Sequence, residues 1–142
     1  MFKKILIAID GSPQSDKALN IGIDIAKRFG SKLYLVHVME EQKYILAMNY
    51  PPVYPEMIDS LLKNAKDLLD SSIKKASMEG VEAEPILERG DAADKIMSAA
   101  DRLGVDMIIM GSRGLKGVTR FLLGSVSERI VRYCKRPVLV VK

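Results

Sequence analysis

Five short strand-like runs alternate with four segments of helical periodicity, and this alternation constrains the fold more than any other feature of the chain. Lys4–Ile9 holds an Ile-rich apolar run, the pattern of a strand covered on both faces. The other runs are Lys32–Val38, Glu82–Leu87, Asp106–Met110 and Pro137–Val141. Pro85 in the third assigns it to a sheet edge, because proline cannot donate to a ladder.

The helical segments carry their own punctuation. Ser12 is suited to cap the first, with Pro13 at its opening position and Gly30 at its end. Ala18, Ile21, Ile25 and Phe29 are its expected apolar face. A long amphipathic helix is expected from Glu56 to Gly80, with Ile58, Leu61, Leu62, Ala65, Leu68, Leu69, Ile73 and Ala76 on one side. Asp91 caps a third helix, which carries Ala92, Ile96, Ala99, Ala100 and Leu103 and ends at Gly104. Ser125 and Glu128 have the spacing of a capping box, opening a fourth helix that runs to about Cys134. Tyr50, Pro51, Pro52, Tyr54 and Pro55 make residues 39–55 a loop. The expected fold is therefore α/β: a five-stranded parallel sheet with four helices on both faces.

Composition narrows the class. At 142 residues the chain is expected to be one domain, residues 1–142, and its 48% hydrophobic content excludes global disorder. No apolar run exceeds five residues, whereas a membrane-spanning helix needs about 20. Asp10 follows too soon after Lys3 and Lys4 for the apolar core of a signal peptide. Cys134 is the single cysteine and cannot form an internal disulfide. These features predict a soluble, reduced, cytoplasmic protein.

The formal net charge of +4 is unevenly distributed. Residues 1–110 hold 14 basic and 17 acidic side chains, whereas residues 111–142 hold 8 basic and 1 acidic. The basic excess begins at Gly111 and points to a compact anionic ligand there. Part of it, Arg132, Lys135 and Arg136, also suits a helix C-terminus. Nucleic acid is the weaker partner, since aromatics are only 6% and no reader motif is present.

Ligands of open α/β sheets bind beyond the carboxyl ends of the strands, at the switch point of the topology. The segments to inspect are therefore Asp10-Gly11-Ser12, Val38-Met39, Glu88-Arg89-Gly90 and the stretch from Gly111. The last runs from Gly111 to Ser125 with glycines also at 114, 117 and 124, and it carries Arg113, Lys116 and Arg120 without an acid. Glycine loops can present consecutive amides to an anion, and a helix N-terminus favours phosphate. The pattern is not a Walker A loop, because Lys116 is followed by Gly117 rather than by Ser or Thr. It is not the dinucleotide fingerprint either, because no two glycines are separated by one residue. The same glycines also suit turns and caps, and the three cations also suit a solvated surface run.

The chain resembles the universal stress proteins along its whole length. The resemblance rests on Ile-Leu-Ile-Ala-Ile-Asp-Gly-Ser (5–12), Val36-His37-Val38, Gly-Asp-Ala-Ala-Asp-Lys-Ile (90–96), residues 106–114, Gly124-Ser125-Val126-Ser127-Glu128 and residues 134–141. The family's ATP-binding branch carries Gly-x2-Gly-x9-Gly-Ser/Thr, present here as Gly111, Gly114, Gly124 and Ser125. The resemblance implies a single doubly wound domain with the strand order 3-2-1-4-5 and a homodimer paired through the fifth strand, Val138–Val141. An exposed apolar edge there would favour such pairing in its own right. It also implies an adenine-nucleotide site for ATP, or for ADP or AMP, accompanied by Mg2+ or Mn2+. Ala8, Ile9 and Val38 would flank adenine, with main-chain groups of Val38 reading its edge. Asp10 would lie near the ribose and the metal, which it would hold weakly or indirectly. Met110 and Gly111 would line the ribose. Ser112, Arg113, Gly114, Gly124, Ser125, Val126 and Ser127 would surround the phosphates.

Single residues also have plainer readings. Asp10 suits a helix-start turn, His37 a satisfied core residue rather than a catalyst, and Cys134 a small buried hydrophobe. Ser125 can cap a helix and meet a phosphate at once. The functional expectation is an ATP-binding stress-response or regulatory protein with an unidentified protein partner. The alternatives are a slow ATP hydrolase and a dimeric partner-binding module that needs no ligand.

Overall fold

The computed structural model describes residues 1–41, 55–112 and 123–142. Its elements are β1 (Lys4–Ala8), α1 (Pro13–Phe29), β2 (Lys32–Met39), α2 (Pro55–Met78), β3 (Ala83–Arg89), α3 (Ala92–Leu103), β4 (Met107–Gly111), α4 (Ser125–Tyr133) and β5 (Val138–Val141). The strands form one parallel sheet in the order β3-β2-β1-β4-β5. The expected α/β architecture, strand order and four helices are all present. The strands begin and end within about two residues of their expected limits, as usual for boundaries read from sequence.

The topology explains the composition of the strands. β1 lies between β2 and β4, and Ile5, Leu6 and Ile7 are completely buried. Successive side chains point to opposite faces. Ile5 and Ile7 join a core with Leu33, Leu35, Ile109, Leu19 and Leu69, on the side of α1 and α2. Leu6 joins Val36, Ile108, Ile96 and Ile130 on the side of α3 and α4. A strand that feeds two cores cannot alternate with polar residues, so it reads as a solid apolar run. β3 and β5 are the sheet edges, and Pro85 lies on one of them.

One helical face differs from expectation. α1 buries Ser15, Ala18, Leu19, Gly22, Ile23 and Ala26, while Ile21 and Phe29 are exposed. The cause is a stripe of small residues. A Cβ on Gly22 would lie 2.2 Å from Ile7 Cδ1, so the helix backbone packs directly on the β1 side chain, which would have to shift for any larger residue. That contact turns the helix to the face of Ala18, Leu19, Gly22, Ile23 and Ala26, with Ile25 packed at its margin and Ile21 and Phe29 turned away. Phe29 instead packs edge-to-face on Phe2, at the amino end of the sheet.

Candidate functional site

The turn after β1 is built from short polar side chains. Asp10 Oδ1 accepts from the Ser12 amide at 2.8 Å, a local turn. Ser12 caps α1 by accepting from the Ser15 amide at 3.1 Å, and Pro13 opens the helix as expected. Ser15 Oγ accepts from the Asp10 amide at 3.0 Å and donates to the Ala8 carbonyl at 3.4 Å. Ser15 was not singled out in the sequence, although its position three residues after a capping serine is a readable signal. The result is a closed network in which the N-terminus of α1 is occupied by its own chain.

The crossing after β4 is organised differently. The Ser112 amide donates to the Val141 carbonyl at 2.7 Å, extending the β4–β5 ladder. The Ser112 carbonyl accepts from the Gly124 amide at 2.6 Å and from Ser127 Oγ at 2.9 Å. One carbonyl thus joins the end of β4 to the start of α4. Gly124, with φ −65° and ψ 163°, is the N-cap residue, and no side-chain hydrogen bond caps the helix among the described residues. The expected capping box is therefore a correction. Ser125 is the first helical residue, not the cap, and the Glu128 carboxylate pairs with Arg132 at 2.7 Å. The Glu128 amide closes the first helical turn on the Gly124 carbonyl at 2.9 Å. The amides of Ser125, Val126 and Ser127 precede that bond and have no intrahelical acceptor.

Gly111 has a packing reason as well as a place in the glycine pattern. A Cβ there would lie 2.7 Å from Gln14 Cβ, 3.0 Å from the Gln14 carbonyl carbon and 3.1 Å from the Ser15 amide nitrogen. The first turn of α1 thus presses on the end of β4. This brings the carboxyl ends of β1 and β4 together at the switch point of the sheet, since strand order runs outward from β1 on both sides.

The remaining residues of interest fall around these two turns. Ala8 and Val38 are half-buried at the carboxyl ends of β1 and β2 and pack toward the α3–α4 core. Ile9 is buried in the opposite core, its amide donates to the Val36 carbonyl, and its carbonyl accepts from His37 Nδ1 at 2.7 Å. That bond fixes the ring tautomer with the proton on Nδ1 in neutral His37. Met110 and Ser112 are buried, Asp10, Gly111, Gly124 and Val126 half-buried, and Ser125 exposed. Cys134 is half-buried at the end of α4, with its sulfur accepting from the Arg136 amide at 3.4 Å. Arg113, Gly114, Lys116 and Arg120 lie outside the described residues, as do residues 42–54 of the loop expected over 39–55, whose end residues Met39 and Pro55 instead belong to β2 and α2.

Ion pairs organise the rim beside β2 and β3. Glu40 accepts from the Ala92 amide at 3.3 Å, and Asp91 accepts from the Asp94 amide at 3.0 Å, so two carboxylates serve the start of α3. Asp91 thus caps α3 as expected. Arg129 on α4 binds both Asp91 oxygens, at 3.0 and 2.8 Å, and Asp94 at 2.9 Å. Its guanidinium pKa is raised, first by the hydrogen bond to Asp91. Arg89 reaches Glu41 at 2.6 Å, and that hydrogen bond raises its pKa likewise. No local sequence signal announces Arg129, because its partners lie 35 and 38 residues away.

The geometry defines a doubly wound α/β protein whose candidate site is the β1–β4 switch point. The model described as "Universal stress protein family" matches residues 1–142. Universal stress protein YxiE of Bacillus subtilis (strain 168) is 35% identical over 148 aligned positions that cover all of both chains. The chain belongs to the universal stress protein family. Among solved structures it resembles the protein MJ0577, with a TM-score of 0.89 and 31% identity over 100% of this chain and 96% of the other. It shares its fold with the Archaeoglobus fulgidus universal stress protein solved in complex with dAMP, at a TM-score of 0.74 and 24% identity, covering all of both chains. Among the described residues no helix is long and apolar enough to cross a membrane.

Proposed function

We propose that residues 1–142 form a single nucleotide-binding domain that holds an adenine nucleotide at the β1–β4 switch point. ATP is the leading ligand, with ADP and AMP as alternatives. The observation that carries this reading is the start of α4. It follows the glycine-flanked crossing, lacks a side-chain cap among the described residues, and offers the amides of Ser125, Val126 and Ser127. Uncapped amides and the helix dipole both favour a phosphate. The dAMP complex of the Archaeoglobus relative supports an adenine nucleotide on this fold.

In this reading Ala8, Ile9 and Val38 flank the base, and Asp10, Met110 and Gly111 lie by the ribose. Ser112, Arg113, Gly114, Gly124, Ser125, Val126 and Ser127 surround the phosphates. Asp10 is the single acid assigned to the site, and its Oδ1 already accepts from Ser12. Among the described residues no group of three or more His, Cys, Asp or Glu could hold a metal. These donors fit Mg2+ or Mn2+ only as an ion carried mainly by the phosphates, with Asp10 as one added ligand. The protein would act in the cytoplasm as a stress-response regulator and pair with a second copy through Val138–Val141. Leu139 is partly exposed on that edge strand, as such pairing requires.

The test is calorimetry with ATP and Mg2+ after co-purified nucleotide has been stripped. Binding is expected for the wild type. Ser125→Glu should abolish it while keeping the fold, because an acid in the first turn suits the helix dipole but repels phosphate. A wild-type protein that gives no heat would overturn the reading and favour the ligand-independent dimer.

A further inference from the structure

Ser127 is 2% exposed, and its hydroxyl is engaged inside the protein. Oγ lies 2.9 Å from the Ser112 carbonyl and 3.0 Å from the Gly124 carbonyl. A serine hydroxyl has one proton to donate, so either bond uses it and leaves none for a phosphate. The Ser112 carbonyl has two lone pairs, and the Gly124 amide and Ser127 Oγ together can use both. Ser112 is itself 4% exposed and is tied through its amide to Val141. The end of β4, the end of β5 and the first turn of α4 therefore meet at one buried residue.

We propose that Ser127 is a positioning residue, a latch whose hydroxyl fixes the first turn of α4 against the end of β4, rather than a side-chain ligand of the phosphates. The proposal rests on the nucleotide reading for its functional consequence but not for its geometry. With the latch closed, the amides of Ser125, Val126 and Ser127, which have no intrahelical acceptor, stand at a set distance from Gly111 and Ser112. Preorganised donors of this kind bind an anion without reordering the helix start. Without the hydroxyl, the Gly124–Ser112 bond is the one hydrogen bond left among the described residues between the start of α4 and the end of β4, and the first turn is held less firmly even though Val126 and Ile130 still pack on the sheet.

Two measurements separate a latch from a phosphate contact. The first is hydrogen exchange at the Gly124 amide in nucleotide-free protein. Ser127→Ala is expected to speed it by about tenfold, the size of one lost net hydrogen bond, and Ser127→Thr, which keeps a hydroxyl, is expected to stay close to wild type. Unchanged exchange in Ser127→Ala would overturn the latch, because a residue that only touches phosphate has no effect before the ligand arrives. The second compares ATP with adenosine. Ser127→Ala is expected to weaken ATP by about tenfold and leave adenosine within about twofold. Equal losses for both ligands would overturn the positioning role and leave general destabilisation. If the wild type binds neither ligand, the nucleotide reading fails, and the exchange result still decides the latch.

Discussion

The chain leaves β1 and β4 at neighbouring points of the sheet and enters a helix after each, yet the two helix starts are treated in opposite ways. After β1, Asp10, Ser12 and Ser15 engage one another, and the capping position of α1 is filled by Ser12. After β4, the two ends of the crossing are pinned by Ser112, but Gly124 has no side chain with which to cap α4. The first turn is a self-contained structural unit. The second holds its backbone in place and, among the described residues, leaves its donors without a side-chain cap. A helix N-terminus costs little to leave open where a ligand or water can reach it, so the difference marks the start of α4 as the one suited to an anion.

The largest expected effect comes from the point where the two turns touch. Gly111→Val places a side chain against the Gln14 and Ser15 backbone, which cannot move aside as a flexible side chain would. Overpacking of this kind costs about 1–3 kcal/mol, and more where backbone must shift. Chemical denaturation should show a lower midpoint. An unchanged midpoint would mean that α1 and β4 are not held together at this position, and the two turns would then be independent. Next comes Ser12→Ala, which removes a helix cap worth about 1 kcal/mol. If the β1 turn is self-contained, stability falls by that amount while ATP affinity stays within about twofold, since no ligand group is lost. A large loss of affinity would show that the capped start of α1 also serves the phosphates and would break the contrast.

How much of this was legible in the sequence follows the range of the interactions. Buried parallel strands declare themselves through runs such as Ile5–Ile9, because both of their faces need apolar side chains. Ser12 and Asp91 were legible as caps because a cap bonds within three residues of itself. Ser125 failed as a cap because the helix start is set by the distant Ser112 carbonyl, to which no local pattern refers. The buried face of α1 failed for a related reason. Leu19 and Ile23 compete with Ile21 and Phe29 as apolar positions, and the close approach at Gly22, which carries no hydrophobic signal, selects the first pair. Within the site, the glycine spacing was readable, but the contact of Gly111 with α1 was not. Arg129, with its two carboxylate partners on another helix, was invisible.

A third variant adds to α4 what α1 already has. Gly124 lies at φ −65° and ψ 163°, a conformation open to any residue, so Gly124→Asp introduces no backbone strain. Its carboxylate can accept from the first-turn amides as Ser12 does on α1. Stability should rise by a few tenths of a kcal/mol, about the difference between aspartate and glycine at this position. ATP affinity should fall by about tenfold or more, because the carboxylate occupies the anion position. Affinity equal to wild type would remove the open helix start from the binding site.

The smallest effect is expected far from both turns, where Lys27 near the end of α1 meets Glu79 at 2.8 Å. The hydrogen bond to Lys27 lowers the Glu79 pKa, and the hydrogen bond to Glu79 raises that of Lys27. For Glu79 the contribution to stability is present above its unfolded pKa and disappears as the pH falls through the lower folded value. For Lys27 it is present below the unfolded pKa and disappears as the pH rises through the higher folded value. The pair therefore acts in one window, bounded by the carboxylate range below and the ammonium range above. Both side chains are about half exposed, so salt screens the interaction and its size is small. Urea melts of wild type and Glu79→Gln should differ slightly at neutral pH and converge at both ends of the window. ATP affinity should be the same in both proteins at every pH. A pH-dependent difference in affinity would mean that the amino end of α1 senses its carboxyl end, and the β1 turn would no longer count as self-contained.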